Sequence, residues 1–178
     1  MKNVIHIFGA SGSGTSTLGR KISEKLGFTF MDTDNYYWMP TDPMFTTKRP
    51  IADRLKLMKE DIEKAENVVI SGSLCDWGDE LIPYFTLAVR IEMDQDIRIE
   101  RLKKREKERF GDRLLKGGDM YQQHINFINW AKSYDNGGLE IRSKAKHDEW
   151  QKLLSCEIIN LDGCETLENN FKKVKERL

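Results

Sequence analysis

At 178 residues the chain has the length of one ordinary domain with its own buried core, so a single domain over 1–178 is expected. Its 29 Lys and Arg balance its 29 Asp and Glu, which excludes a global field for nucleic acid or an anionic membrane; any basic surface must be local. No apolar stretch nears the ~20 residues of a membrane helix, and Cys75, Cys156 and Cys164 lack C-x-x-C spacing in a chain with no signal-peptide pattern, which points to free thiols and the cytoplasm.

Val4 to Phe8 is short, apolar and partly β-branched, as a strand buried on both faces should be. It runs into Gly9-Ala-Ser-Gly-Ser-Gly-Thr-Ser-Thr17. Against the phosphate-loop pattern G-x-x-x-x-G-K-[ST], Gly9 and Gly14 have the right spacing, Ser16 takes the hydroxyl position, and Thr15 stands where lysine belongs. A strand that stops at such a turn and restarts as a helix aims backbone N–H groups and the positive helix end at one spot, which binds phosphate. Gly9, Ser11, Gly12, Ser13, Gly14, Thr15, Ser16 and Thr17 are the candidate phosphate-binding residues, and Ser16 can offer its hydroxyl to a magnesium ion. Leu18, Ile22 and Leu26 recur at helical spacing and Gly27 closes the run, so Thr15 to Leu26 is a helix. The lysine's charge at about 4 Å would contribute roughly 4 kcal/mol at an effective dielectric of about 20, about a thousandfold in rate. Either another cation reaches the phosphates or the chain binds nucleotide with little turnover; the arginines further on favour the first.

Phe28 to Met31 continues as a strand into Asp32-Thr-Asp34. In an extended segment these two carboxylates lie on one side, at the carboxyl end of the strand where ligands of open parallel sheets bind; a turn rich in Asx residues is the competing account. Tyr36 to Pro50 reads as a loop whose aromatic residues form either a binding wall or packing. Ile51 to Ala65 is a helix with Leu55, Met58 and Ile62 on one stripe and Arg54 on its first turn. Val68 to Ser73 is a buried strand that ends in Ser71-Gly72-Ser73, a backbone open to a ligand or simply a tight turn. No acid stands at its tip, so Asp32 is the candidate magnesium partner.

Leu87 to Met93 is a strand, and Asp94 caps the helix after it. Arg98, Arg101, Arg105 and Arg109 form a stripe on that helix. It is either a solvated face paired with Glu100, Glu106 and Glu108 or a row of guanidinium forks suited to phosphate. Glycines around Arg113 make a hinged, arginine-bearing flap. Phe127 to Asp135 is helical; Ser143 to Leu154 is an amphipathic helix with Trp150, Leu153 and Leu154 inward and His147 a structural histidine; Cys156 to Leu161 is the last strand and Leu167 to Leu178 the terminal helix. The three histidines have no metal-ligand spacing, so no protein-held zinc is expected.

Strands alternating with helices after a phosphate loop imply a parallel sheet covered on both faces. In element order, and at Gly9 to Thr17, Asp32-Thr-Asp34, Ser71-Gly-Ser73, Arg101 to Arg113 and Asp162-Gly163, the chain resembles the nucleoside monophosphate kinase-like group of P-loop kinases, which includes adenylate, cytidylate, shikimate and gluconate kinases. Tyr36-Tyr-Trp38, Thr46-Thr-Lys-Arg-Pro50 and Arg142-Ser143 also resemble stretches of bacterial adenylate kinase-like or AAA-type proteins. The resemblance implies an α/β three-layer fold with a five-stranded parallel sheet, an acceptor insert at about 32–65 and a helical lid at about 98–120. It implies an ATP-dependent small-molecule kinase that uses Mg2+ and moves the γ-phosphate to a nucleoside monophosphate or hydroxylated metabolite, with no nucleic-acid or membrane partner. Ser16 and Asp32 would hold the metal, and Asp34 would orient and deprotonate the acceptor. Arg49, Arg54, Gly72 and Ser73 would bind the acceptor; Arg105, Arg109 and Arg113 would neutralise the transferring phosphoryl group. The rival is a nucleotide-binding sensor with little or no kinase activity.

Overall fold

The structure is a computed structural model that describes residues 2–178. Five strands, β1 (Val4–Gly9), β2 (Thr29–Asp32), β3 (Val68–Ser71), β4 (Leu87–Glu92) and β5 (Glu157–Asp162), form one parallel sheet in the order β2-β3-β1-β4-β5. Around it lie α1 (Thr15–Leu26), α2 (Thr33–Tyr37), α3 (Ile51–Lys64), α4 (Gln95–Phe110), α5 (Tyr121–Lys132), α6 (Lys144–Trp150) and α7 (Leu167–Lys175).

The central strand β1 is buried throughout, as its β-branched and aromatic run requires. Its alternation divides the core. Val4 and Phe8 pack with Met58, Ile62, Ile70 and Trp150, while Ile5 and Ile7 pack with Leu18, Ile22, Val89 and Phe171. Each such side chain taken fully from water contributes about 1.5–3 kcal/mol, and the two layers pin the strand register. That register sets Asp32 beside Ser71, and Ser71 beside Ile7. The carboxyl ends of β1, β2 and β3 therefore meet at one edge, where the glycine loop emerges. A smaller cluster of Ile99, Leu102, Ile128 and Ala131 joins α4 to α5.

The parallel five-stranded sheet and three-layer architecture agree with the sequence reading, and α1 has the expected bounds. Several local expectations differ. Tyr36 and Tyr37 lie in the short helix α2, which Asp32 caps by accepting from the Asp34 N–H at 3.1 Å, and not in a loop. The helix at 144–150 ends in a 3₁₀ turn, Gln151–Leu153, which leaves Leu153 56% exposed and not inward. The α5 helix begins at Tyr121 and stops at Lys132. The three cysteines are free.

Candidate active site

Gly12 and Gly14 take left-handed backbone angles, φ 83° and 102°, which ordinary side chains disfavour. At Gly12 a Cβ would also press to 2.7 Å from the Arg98 carbonyl, so the loop can run against α4 only without a side chain. Gly14 is the N-cap of α1 and offers no side chain to its first-turn N–H groups. Those groups, on Thr15 and Ser16, stay available to an anion. Thr17 is exposed on the helix, and Ser13 is buried with its hydroxyl unpartnered.

The Ser16 hydroxyl donates to Asp32 Oδ2 at 3.3 Å and accepts from the Ser71 hydroxyl at 3.3 Å. Magnesium takes oxygen ligands at 2.0–2.1 Å in an octahedron, so adjacent ligands lie about 2.9 Å apart. Ser16 and Asp32 are within a few tenths of an ångström of that spacing, and both are hard oxygen donors. They fit the ion.

Asp34 sits on the first turn of α2 and not in an extended segment, yet it stays next to Asp32. It is open to water on one side but crowded by protein on the other. That crowding raises its pKa most and the Asp32 charge adds to it, while Arg142, Arg105 and Arg109 pull it back. A carboxylate and three guanidinium groups thus converge beside the glycine loop.

Arg142 was not among the residues expected at the site. It lies just before α6, donates through Nη2 to the Ser11 hydroxyl, and packs its guanidinium 4.4 Å from the centre of the Trp130 ring. Burial lowers its pKa and Asp34 opposes that shift, but an arginine remains charged at neutral pH. It brings positive charge to the loop that lacks lysine. Arg142-Ser143 stood out in the sequence, but nothing there tied it to Ser11.

Other expected residues are engaged elsewhere. Arg54 is 5% exposed; its guanidinium packs 3.9 Å from the Tyr37 ring centre and its Nε donates to the Arg49 carbonyl at 2.6 Å. Arg49 turns Nη1 to the carbonyls of Asn35 and Tyr36, at 3.0 and 2.7 Å. Arg113 is held by Asp119 and Asp42, which raise its pKa. Of the arginine stripe, Arg98 is fully buried and paired with Asp135, and Arg101 turns to the Met93 sulfur and the Gly163 carbonyl. Only Arg105 and Arg109 reach Asp34 electrostatically. Gly72, with φ 120°, packs on Thr33, where any Cβ would collide with the hydroxyl. The Ser73 hydroxyl is bonded to His147 Nε2 at 3.1 Å. His147 is the structural histidine anticipated, fully buried, with Tyr134 on Nδ1 at 2.8 Å.

A protein-family model described as an AAA domain matches residues 5–121. The chain is 48% identical over 165 residues to "Uncharacterized protein YqaC" of Bacillus subtilis, covering 92% of this chain and 91% of that protein. It is 31% identical over 113 residues to a cytidylate kinase of Archaeoglobus fulgidus, covering 57% and 61% of the two chains. The structure superposes on shikimate kinase from Bacteroides thetaiotaomicron with a TM-score of 0.53 at 20% identity, covering 98% of this chain and 96% of that one, a likeness of fold.

Proposed function

This chain belongs to the AAA domain family, and on that premise we propose that it is a magnesium-dependent phosphotransferase that moves the γ-phosphate of ATP to a small-molecule acceptor. The observation that carries the reading is the convergence of Asp34 with Arg105, Arg109 and Arg142 beside a glycine loop whose Ser16 contacts Asp32. A purely structural role for the loop would need neither the Ser16–Asp32 pair nor a half-buried cation on Ser11. The relationship to a cytidylate kinase supports the same class.

In this reading the N–H groups of Gly12 and Gly14, with those opening α1, cradle the β-phosphate, while that of Ser13 holds the turn by donating to the Ala10 carbonyl. Arg142 takes the electrostatic role of the absent lysine. Ser16 and Asp32 would hold magnesium, which would supply positive charge against the phosphates. Asp34 accepts the proton of the acceptor hydroxyl as its oxygen bonds to the γ-phosphorus and the bond to the ADP oxygen breaks. Its raised pKa suits it to that transfer. Arg105 and Arg109 stabilise the phosphoryl group in flight.

ADP release from Mg-ATP, measured with nucleosides, nucleoside monophosphates and hydroxylated metabolites, tests this. At least one acceptor is expected to stimulate release, and Asp34→Asn should lower that rate about 10²–10⁴-fold while Mg-ATP affinity stays within about twofold. Micromolar ATP binding with no acceptor-dependent ADP would leave a nucleotide sensor in place of the enzyme.

A further inference from the structure

We infer that the acceptor is an uncharged hydroxylated ring compound, a nucleoside or neutral sugar, and not a phosphorylated or carboxylated one. This rests on the phosphotransfer reading above and narrows it.

The first ground is where the arginines go. A site that grips an anionic acceptor needs a guanidinium fork free to face it. Arg54, on the helix that follows the aromatic loop, is buried under Tyr37 and committed to the Arg49 carbonyl. Arg49 is drawn back onto the end of α2 by the carbonyls of Asn35 and Tyr36, and Arg113 is taken by two aspartates. Lys48, 5.8 Å from the Tyr37 ring centre, is an exposed ammonium without a fork.

The second is charge balance at the transfer point. Arg105, Arg109 and Arg142 are guanidinium groups whose charge acts on Asp34. A magnesium-bound triphosphate carries a net charge of about −2, and Asp32 and Asp34 bring the negative total to about −4. Three guanidinium groups do not cover it, so a second anion would add to negative charge already in excess. A phosphate dianion would also have to settle against the Asp34 carboxylate, where like charges repel.

The third is the wall beside Asp34. Trp38 follows Asp34 by one helical turn, and its N–H donates to the Asp34 carbonyl at 3.1 Å. Its ring lies edge-on to Phe45 at 6.0 Å, and Phe45 lies under Arg109 at 5.0 Å. Both rings are partly open to solvent. Aromatic faces of this kind bind flat bases and the apolar faces of sugars, and need no ligand charge.

The test pairs each common ribonucleoside with its 5′-monophosphate, and glucose with glucose 6-phosphate and gluconate, with Mg-ATP as donor. The uncharged member of any reacting pair should have a kcat/KM at least about tenfold above its charged partner; which series reacts separates nucleoside from sugar. Equal or better turnover of the charged member overturns the inference and leaves the phosphotransferase intact. If nothing reacts, calorimetry on protein loaded with a non-hydrolysable ATP analogue decides: binding of uncharged members alone sustains the inference and removes the enzyme reading, and no such binding overturns both. Trp38→Ala should weaken the uncharged ligand at least about tenfold and Trp38→Phe restore it, with Mg-ATP affinity unchanged in both. Loss of Mg-ATP affinity in parallel would make Trp38 a packing residue and overturn the wall.

Discussion

Arg142 and Ser11 are 131 positions apart and touch in the fold, which makes the pair Thr15 and Arg142 the residue-scale question. If Arg142 supplies the charge that Thr15 lacks, the two positions are coupled. Arg142→Met should lower kcat/KM about 10²–10³-fold, the usual effect of losing one electrostatic stabiliser. Thr15→Lys should add nothing to the wild-type protein, because a second cation would crowd the first. In the Arg142→Met background the same change should recover at least about tenfold. Steady-state kinetics on the four proteins measures that coupling, and equal effects of Thr15→Lys in both backgrounds would separate the two residues. The contact was illegible in the sequence for a physical reason. Arg142 follows a glycine-bearing turn with no periodicity, and only the packing of α5 on α4 carries it back to the loop.

At the scale of elements, the loop between Trp38 and Lys48 is closed by an antiparallel bridge and clasped from outside by two side chains. Arg113 reaches Asp42 at 2.7 Å, and the Gln123 side-chain amide donates to the Met44 carbonyl at 2.7 Å. Exposed ion pairs add little to stability, so this clasp can open without disturbing the core. Asp42→Ala should leave Tm within about 1 °C, speed amide exchange across 39–48 and raise the acceptor KM more than it lowers kcat. An unchanged exchange rate would mean that the loop is held from beneath. The strands and long helices were readable because each carries a run or stripe of period two or 3.6. The helix α2 was not: Thr-Asp-Asn-Tyr-Tyr has weak helix propensity, and an aspartate that caps a helix looks in sequence like one that makes a turn. The stripe on α4 failed as a guide for a related reason. Spacing put its arginines on one face, but the packed α5 splits that face into a buried root at Arg98 and an open end at Arg109.

For the whole molecule, two buried imidazoles set the response to acid. His6 stacks among Phe8, Phe85 and Trp150 and donates from Nε2 to the Gly72 carbonyl at 2.8 Å. Burial lowers its pKa to about 4, and burial with nearby arginines lowers that of His147 to about 3. Below pH 6.5 the unfolded chain takes up protons that the folded one refuses, so stability is intact above 6.5 and declines as pH falls toward those values. The slope is at most about 1.4 kcal/mol per pH unit for each histidine. Urea unfolding at intervals from pH 7 to pH 4 should show this decline, and His6→Phe should roughly halve its slope; an unaltered slope would assign it to carboxylates. Arg98 adds a mechanical consequence. Its guanidinium ties the Met93 and Ser11 carbonyls to Asp135 from a fully enclosed position. The root of the helix that bears Arg105 and Arg109 is therefore riveted to the glycine loop, so that loosening Arg98 would unsteady both at once, as a slack rowlock unsteadies an oar.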